Sequence, residues 1–167
     1  MLPKTIIILL LGFAIGYAQQ QPGDLSLPDL LSDNEKQAIL KEQKPKSHVK
    51  AVLKVAENRI KNASQFARGN QFQATMQDLG VFLDLVIYAD NYTRKLPATK
   101  HKDRNNCLKK IEQAIFKQSR NLEAATQALP LESREAIESQ VSEVKKIRLR
   151  AINDLLGGGR VINSSNE

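Results

Sequence analysis

The chain has little of what metal sites and disulfide frameworks are made from. Its 167 residues include one cysteine, Cys107, and two histidines, His48 and His101. A lone cysteine excludes an internal disulfide and a cysteine-based zinc site, and two separated histidines cannot supply a zinc cluster. No Glu-x-x-His pair occurs, which excludes a di-iron or di-manganese carboxylate bundle. We therefore expect no metal and no cofactor. Cys107 is interpreted as a small buried side chain, with an intermolecular disulfide as the alternative.

Sequence patterns typical of enzymes are also missing. No serine lies in a nucleophile-elbow context. No glycine-rich phosphate loop opens a helix, because the glycines at 157–159 follow a helical pattern instead of preceding one. No set of residues nominates a reaction, so we interpret the chain as a non-enzymatic protein.

Aromatic residues are few among the apolar residues, and acidic residues are fewer than basic ones. Aromatic side chains make up 5% of the chain and tryptophan is absent, so the core should be mostly aliphatic. Twenty-five Lys and Arg against 18 Asp and Glu give a formal net charge of +7, which favours anionic partners. Nucleic acid is disfavoured among them, because the basic segments lack the aromatic residues on which bases stack.

The first 18 residues have the pattern of a secretory signal peptide. Lys4 precedes an apolar run, and Gly16 and Ala18 place small residues at a cleavage site before Gln19. The run of roughly 14 residues is shorter than the ~20 that span a bilayer, so an N-terminal membrane anchor is the less favoured alternative. We predict a signal peptide at 1–18, a linker at 19–31, a helical domain at 32–156 and a flexible tail at 157–167. The mature protein is then secreted or periplasmic.

Residues 79–89 form the densest apolar run after this leader. On a helical wheel their side chains cover most of the circumference, and a narrow polar strip remains, formed by Gln77, Gly80, Asp84, Asn91 and Lys95. A helix that is apolar nearly all round needs neighbours on several sides.

Four further helical patterns can supply those neighbours, and no strand alternation is found after the leader. Ser32 and Glu35 fit a capping box for a short first helix reaching about residue 42. Longer helices are predicted at about 48–68, 71–96, 100–129 and 130–156, separated by proline or glycine. We predict an all-α fold, an antiparallel up-down-up-down four-helix bundle with a short extra N-terminal helix.

Antiparallel order would collect basic residues at one end of this bundle. The start of the second and fourth helices and the end of the third and fifth are rich in lysine and arginine. We predict an anion-binding site there, formed by Lys95, Lys100, Lys102, Arg104, Lys145, Lys146, Arg148 and Arg150. The alternative is a solvated basic surface whose charges partly complement the helix C-termini.

Asp90 falls within the apolar sector of its helix, whereas Asp84 does not. A buried carboxylate needs a partner, since an isolated buried charge is very costly. Arg104 and Arg148 lie on the apolar seams of their helices at a similar height. We therefore predict a structural ion pair of Asp90 with Arg104 or Arg148.

Two functional hypotheses follow. The first is an exported binding or adaptor module whose basic end contacts an anionic protein or an anionic surface, lipid or polysaccharide. The alternative is a structural or homo-oligomerising module without a ligand, for example a homodimer that uses apolar side chains left over on the central helix: Val81, Leu85, Tyr88 and Tyr92.

Export of the full chain in a bacterial host tests the predicted signal peptide. We expect the exported protein to begin at Gln19, as measured by intact mass and N-terminal sequencing. An exported or membrane-bound product that retains Met1 would show that residues 1–18 are an anchor.

Overall fold

In a computed structural model of the protein, the structure describes residues 26–157. This part of the chain is all-helical, with no strand, so the predicted all-α class is confirmed. Its helices are α1 (Asp33–Leu40), α2 (Pro45–Arg68), α3 (Phe72–Arg94), α4 (His101–Ala128) and α5 (Leu131–Leu155), with a 3-10 turn at Ala98–Lys100 before α4. The predicted signal peptide, most of the predicted linker and the tail after Gly157 lie outside the described residues.

Local chemistry sets the ends of the helices. The capping box at the start of α1 is confirmed: the Glu35 amide donates to Ser32 Oγ, and Glu35 Oε2 accepts from the Ser32 amide at 2.9 Å. Pro45 begins α2 three residues earlier than predicted, because its fixed φ suits the first helical turn. Gly157, with φ of 83°, follows α5 in the left-handed conformation that glycine tolerates.

Contacts between helices show which ends lie together. His48 near the start of α2 bonds to Tyr88 near the end of α3. Arg94 at the end of α3 pairs with Asp154 near the end of α5. These contacts collect the start of α2 and the ends of α3 and α5 at one end of the molecule, where α4 begins after a short connection from α3.

Helix α3 lies against three other helices. It contacts α2, α4 and α5, whereas α2 and α5 do not contact each other. The polar strip predicted for α3 is the part that stays half-buried or exposed.

The prediction that α3 leaves apolar surface free is wrong. Val81 and Leu85 are 1% and 0% exposed, Tyr88 is buried, and Tyr92 is half-buried against the His48 ring. The reason is that neighbouring helices cover three sides of α3, which a helical wheel of α3 alone does not reveal. None of the described helices is both long and apolar enough to cross a membrane.

Arg59 on α2 joins the N-terminal segment to the rest of the fold. Its guanidinium donates to Glu35 on α1 (Nε to Oε1, 2.9 Å), to Asp78 on α3 (Nη1 to Oδ1, 2.7 Å) and to the Leu30 carbonyl. Leu31 packs into the core beside these groups. Leu30 and Leu31, at the end of the linker predicted at 19–31, are therefore part of the folded domain.

We expect Arg59→Ala to lower the free energy of unfolding by about 2–4 kcal/mol, because it leaves the buried Asp78 carboxylate without its partner. Urea denaturation followed by circular dichroism measures this loss. The control is Lys54→Ala, whose side chain is 67% exposed. Equal stabilities of the two variants would show that the Arg59 contacts do not hold α1 in place.

A candidate anion-binding surface

The basic residues predicted as a site differ in exposure. Five lysines are exposed: Lys95, Lys100, Lys102, Lys145 and Lys146. The three arginines, Arg104, Arg148 and Arg150, are half-buried. Lys95, Lys100, Lys102 and Arg104 lie at the end of α3 or the start of α4, whereas Lys145 to Arg150 lie in the second half of α5, where Arg148 contacts the middle of α4. We call these basic residues together the basic end.

Two of the arginines are engaged inside the protein. Arg148 Nε lies 3.2 Å from Glu112 Oε1, and its guanidinium lies 4.7 Å from the centroid of the Phe116 ring. Arg150 Nη2 lies 2.8 Å from Glu143. These side chains hold α5 in place and have less freedom to meet a ligand.

The exposed lysines are used differently. The side chains of Lys100, Lys102, Lys145 and Lys146 make no hydrogen bond or ion pair with any described residue. Their ammonium groups face solvent and remain available to an anion.

Asp90 is buried, with 2% of its surface exposed, as predicted, but its predicted partner is wrong. Asp90 Oδ2 lies 2.8 Å from Arg94 and 3.2 Å from Arg150, and neither Arg104 nor Arg148 is its partner. Arg94 is one helical turn further along α3. Arg150 lies about 200° around α5 from Arg148, so Arg150 turns toward α3 while Arg148 turns toward α4.

Asp84 forms a second polar contact between α3 and α5. Its Oδ1 accepts a hydrogen bond from Gln140 Nε2 at 3.1 Å. Burial raises the pKa of Asp84 from its ordinary value of 3.8 to about 6, since burial disfavours the charged form. The ionised carboxylate therefore costs stability at neutral pH.

A groove of about 280 Å³ runs between α2 and α4. Apolar side chains such as Leu53, Phe82 and Val86 line it. Lysines from both helices also line it: Lys50, Lys54, Lys110 and Lys117. Glu57 partly neutralises the charge of this rim. Hydrogen bonds from Lys61 and Lys117 lower the pKa of Glu57 to about 2. Lys50 and Lys110 have no such partner among the described residues, so positive charge continues from the basic end along this groove.

Sequence reasoning missed the exposed apolar side chains beside the basic end. Phe116 is 61% exposed, Leu149 is 62% exposed and Leu156 is 81% exposed. A signal existed: Phe116 lies one residue beyond Ile115 on the apolar seam of α4, and Leu149 lies about 140° around α5 from Val144 on its seam. Apolar residues off the seam of a surface helix point to solvent.

His48 and its neighbours form a buried polar contact. His48 Nε2 lies 3.0 Å from the Tyr88 hydroxyl, and Nδ1 lies 3.2 Å from the Glu42 carbonyl. Both ring nitrogens are thus satisfied within the protein, and we assign this cluster to packing. Cys107 is free and buried, and the described residues contain no group of three or more His, Cys, Asp or Glu placed to hold a metal ion.

No protein-family model, no curated protein and no solved structure matches this chain. Residue roles therefore cannot be carried over from a relative. Function has to be inferred from geometry, burial and charge.

Asp84→Asn is expected to raise the free energy of unfolding at pH 7 by about 1–2 kcal/mol, because it removes a charge that burial disfavours. In the wild type, the folded state binds the Asp84 proton more tightly than the unfolded state does. Its contribution to stability therefore falls as pH rises from 3.8 to about 6.

Urea titrations across this pH range measure the effect, with Asp29→Asn at an exposed carboxylate as the control. If Asp84→Asn keeps the pH dependence of the wild type, Asp84 is not the titrating group.

Proposed function

We propose that this protein is an exported, non-enzymatic helical-bundle protein that binds an anionic partner or surface through its basic end. The fold in this proposal is an up-down-up-down four-helix bundle of α2 to α5, with α1 as the short extra helix. Short connections and the contacts at the helix ends favour alternating helix directions. Because α2 and α5 do not touch, the contacts favour the order α2, α3, α5, α4 around the bundle.

One observation carries the binding proposal. Four lysines at the basic end, Lys100, Lys102, Lys145 and Lys146, are exposed and make no contact with a described acidic residue. Lysines at the start of α4 also oppose the helix dipole, which favours negative charge at an N-terminus. A charge arrangement that costs stability and serves no internal contact supports a role in binding.

The partner in this proposal is an anionic protein, lipid or polysaccharide. Export removes the protein from most nucleic acid, and residues 1–18 support export. No catalytic role is proposed for the basic end. The carboxylate buried beside it, Asp90, already pairs with Arg94 and Arg150 and is therefore not free to act on a substrate.

A homo-oligomerising structural module is the second candidate. The exposed Leu149 and Leu156 favour it, since apolar side chains in water can be covered by a second copy. Salt separates the candidates, because contacts with phosphate or sulfate weaken as salt rises, whereas apolar association does not.

The test uses residues 19–167 and three probes: heparin, vesicles that contain phosphatidylglycerol, and an acidic protein. We expect salt-sensitive binding to at least one probe. The variant with Lys102→Glu and Lys145→Glu should bind about tenfold more weakly or worse, since each base near an anionic surface contributes about 1 kcal/mol.

The matched control reverses two exposed bases on the C-terminal half of α2, Lys61→Glu and Arg68→Glu, and has the same net charge as the test variant. Equal losses in both variants would show that overall charge, not the basic end, determines binding. Absence of binding to all three probes at low salt would contradict the proposed function.

A further inference from the structure

Exposed apolar side chains accompany the lysines on one part of the basic end. Phe116 on α4 and Leu149 on α5 are each about three-fifths exposed, and Leu156 directly after α5 is more exposed still. Arg148, next to Leu149 in the chain, stacks on the Phe116 ring. This contact places Phe116 beside the segment of α5 that contains Leu149.

Helical spacing aligns these residues with lysines. On α5, Lys145, Leu149, Ile152 and Leu156 recur at alternating spacings of four and three residues, which places them on one stripe. On α4, Lys102, Lys109 and Phe116 recur every seven residues, two turns apart, and form a second stripe. We call the two stripes together the α4–α5 outer face.

The charge of this face is positive. Lys102, Lys109 and Lys145 are exposed and have no partner among the described residues. Glu112 lies beside the face, and its carboxylate is paired with Arg148. The exposed Glu123 and Glu138 continue the two stripes beyond Phe116 and Lys145, but with Arg120 one turn from Phe116 the face still has more basic than acidic side chains.

We propose that the α4–α5 outer face docks on an anionic lipid bilayer. This inference rests on the proposed function and specifies its partner. Leucine and phenylalanine beside lysine are the composition of helices that lie in a membrane interface, where apolar side chains enter the acyl boundary. The lysine ammonium groups meet lipid phosphates at the same depth.

A flat bilayer suits this face better than a bound peptide or a second copy of the chain does. The α2–α4 groove is lined by other residues of α4 and not by Lys102, Lys109 or Phe116, so this face offers two adjacent helices rather than that cleft. In a symmetric dimer, each copy would present the same lysines to its partner. Like charges brought together in that way oppose association.

The test measures co-sedimentation of residues 19–167 with vesicles of phosphatidylcholine, with and without phosphatidylglycerol. We expect binding to the anionic vesicles only. The variant Phe116→Ser, Leu149→Ser, Leu156→Ser should bind them about tenfold more weakly or worse, because it removes the apolar surface that enters the bilayer. These side chains are exposed, so circular dichroism and the unfolding midpoint should stay close to the wild type.

The matched control changes one phenylalanine and two leucines that are exposed elsewhere, by the substitutions Phe72→Ser, Leu40→Ser and Leu131→Ser. It should bind anionic vesicles within about twofold of the wild type. An equal loss in both variants would overturn the assignment to this face.

Other outcomes separate this inference from the proposed function. If the Phe116, Leu149 and Leu156 variant binds vesicles like the wild type while the Lys102 and Lys145 variant does not, docking is purely electrostatic and the inference is wrong. Binding to heparin or acidic protein without vesicle binding also overturns it and leaves the proposed function standing. A wild-type dimer that the serine variant dissociates, with no vesicle binding, would make the face a contact between copies.

Discussion

Helix α3 is apolar around most of its circumference, and the fold follows from the need to cover it. Three helices lie against α3. Its side chains at Leu79, Leu83, Leu85 and Val86 are fully buried, with 0% of their surface exposed. Burying such side chains stabilises a fold by about 1.5–3 kcal/mol each. With three sides covered, the remaining polar strip is narrow, and part of it is bridged by Gln140 from α5.

The basic residues divide into internal and external groups. Arg59, Arg94, Arg148 and Arg150 each pair with carboxylates of other helices. The planar guanidinium suits such half-buried contacts, because it can donate to several acceptors in fixed directions. At the basic end, lysines such as Lys102 have no such role and keep their hydrated ammonium groups in solvent. The division explains how one end can be both well ordered and strongly positive.

Helix existence was predictable because proline and glycine separate strongly periodic segments, and the burial of Asp90 followed from its position on the wheel. Its partner did not follow. A wheel gives directions within one helix but not the neighbour in each direction, so it could not distinguish Arg148, which faces α4, from Arg150, which faces α3. The same gap concealed that Val81 and Leu85 are covered, whereas the exposure of Phe116 could be inferred from its position off the apolar seam of α4.

The central claim is that the basic end, and within it the α4–α5 outer face, meets an anionic surface. The most direct measurement is the amide NMR spectrum of the labelled protein with and without bicelles that contain phosphatidylglycerol. The account predicts shifts and line broadening concentrated around Lys102, Lys145 and Leu149, with little change near Arg68 and Leu131. Perturbation centred on Arg68 and Leu131, or no perturbation at low salt, would contradict it.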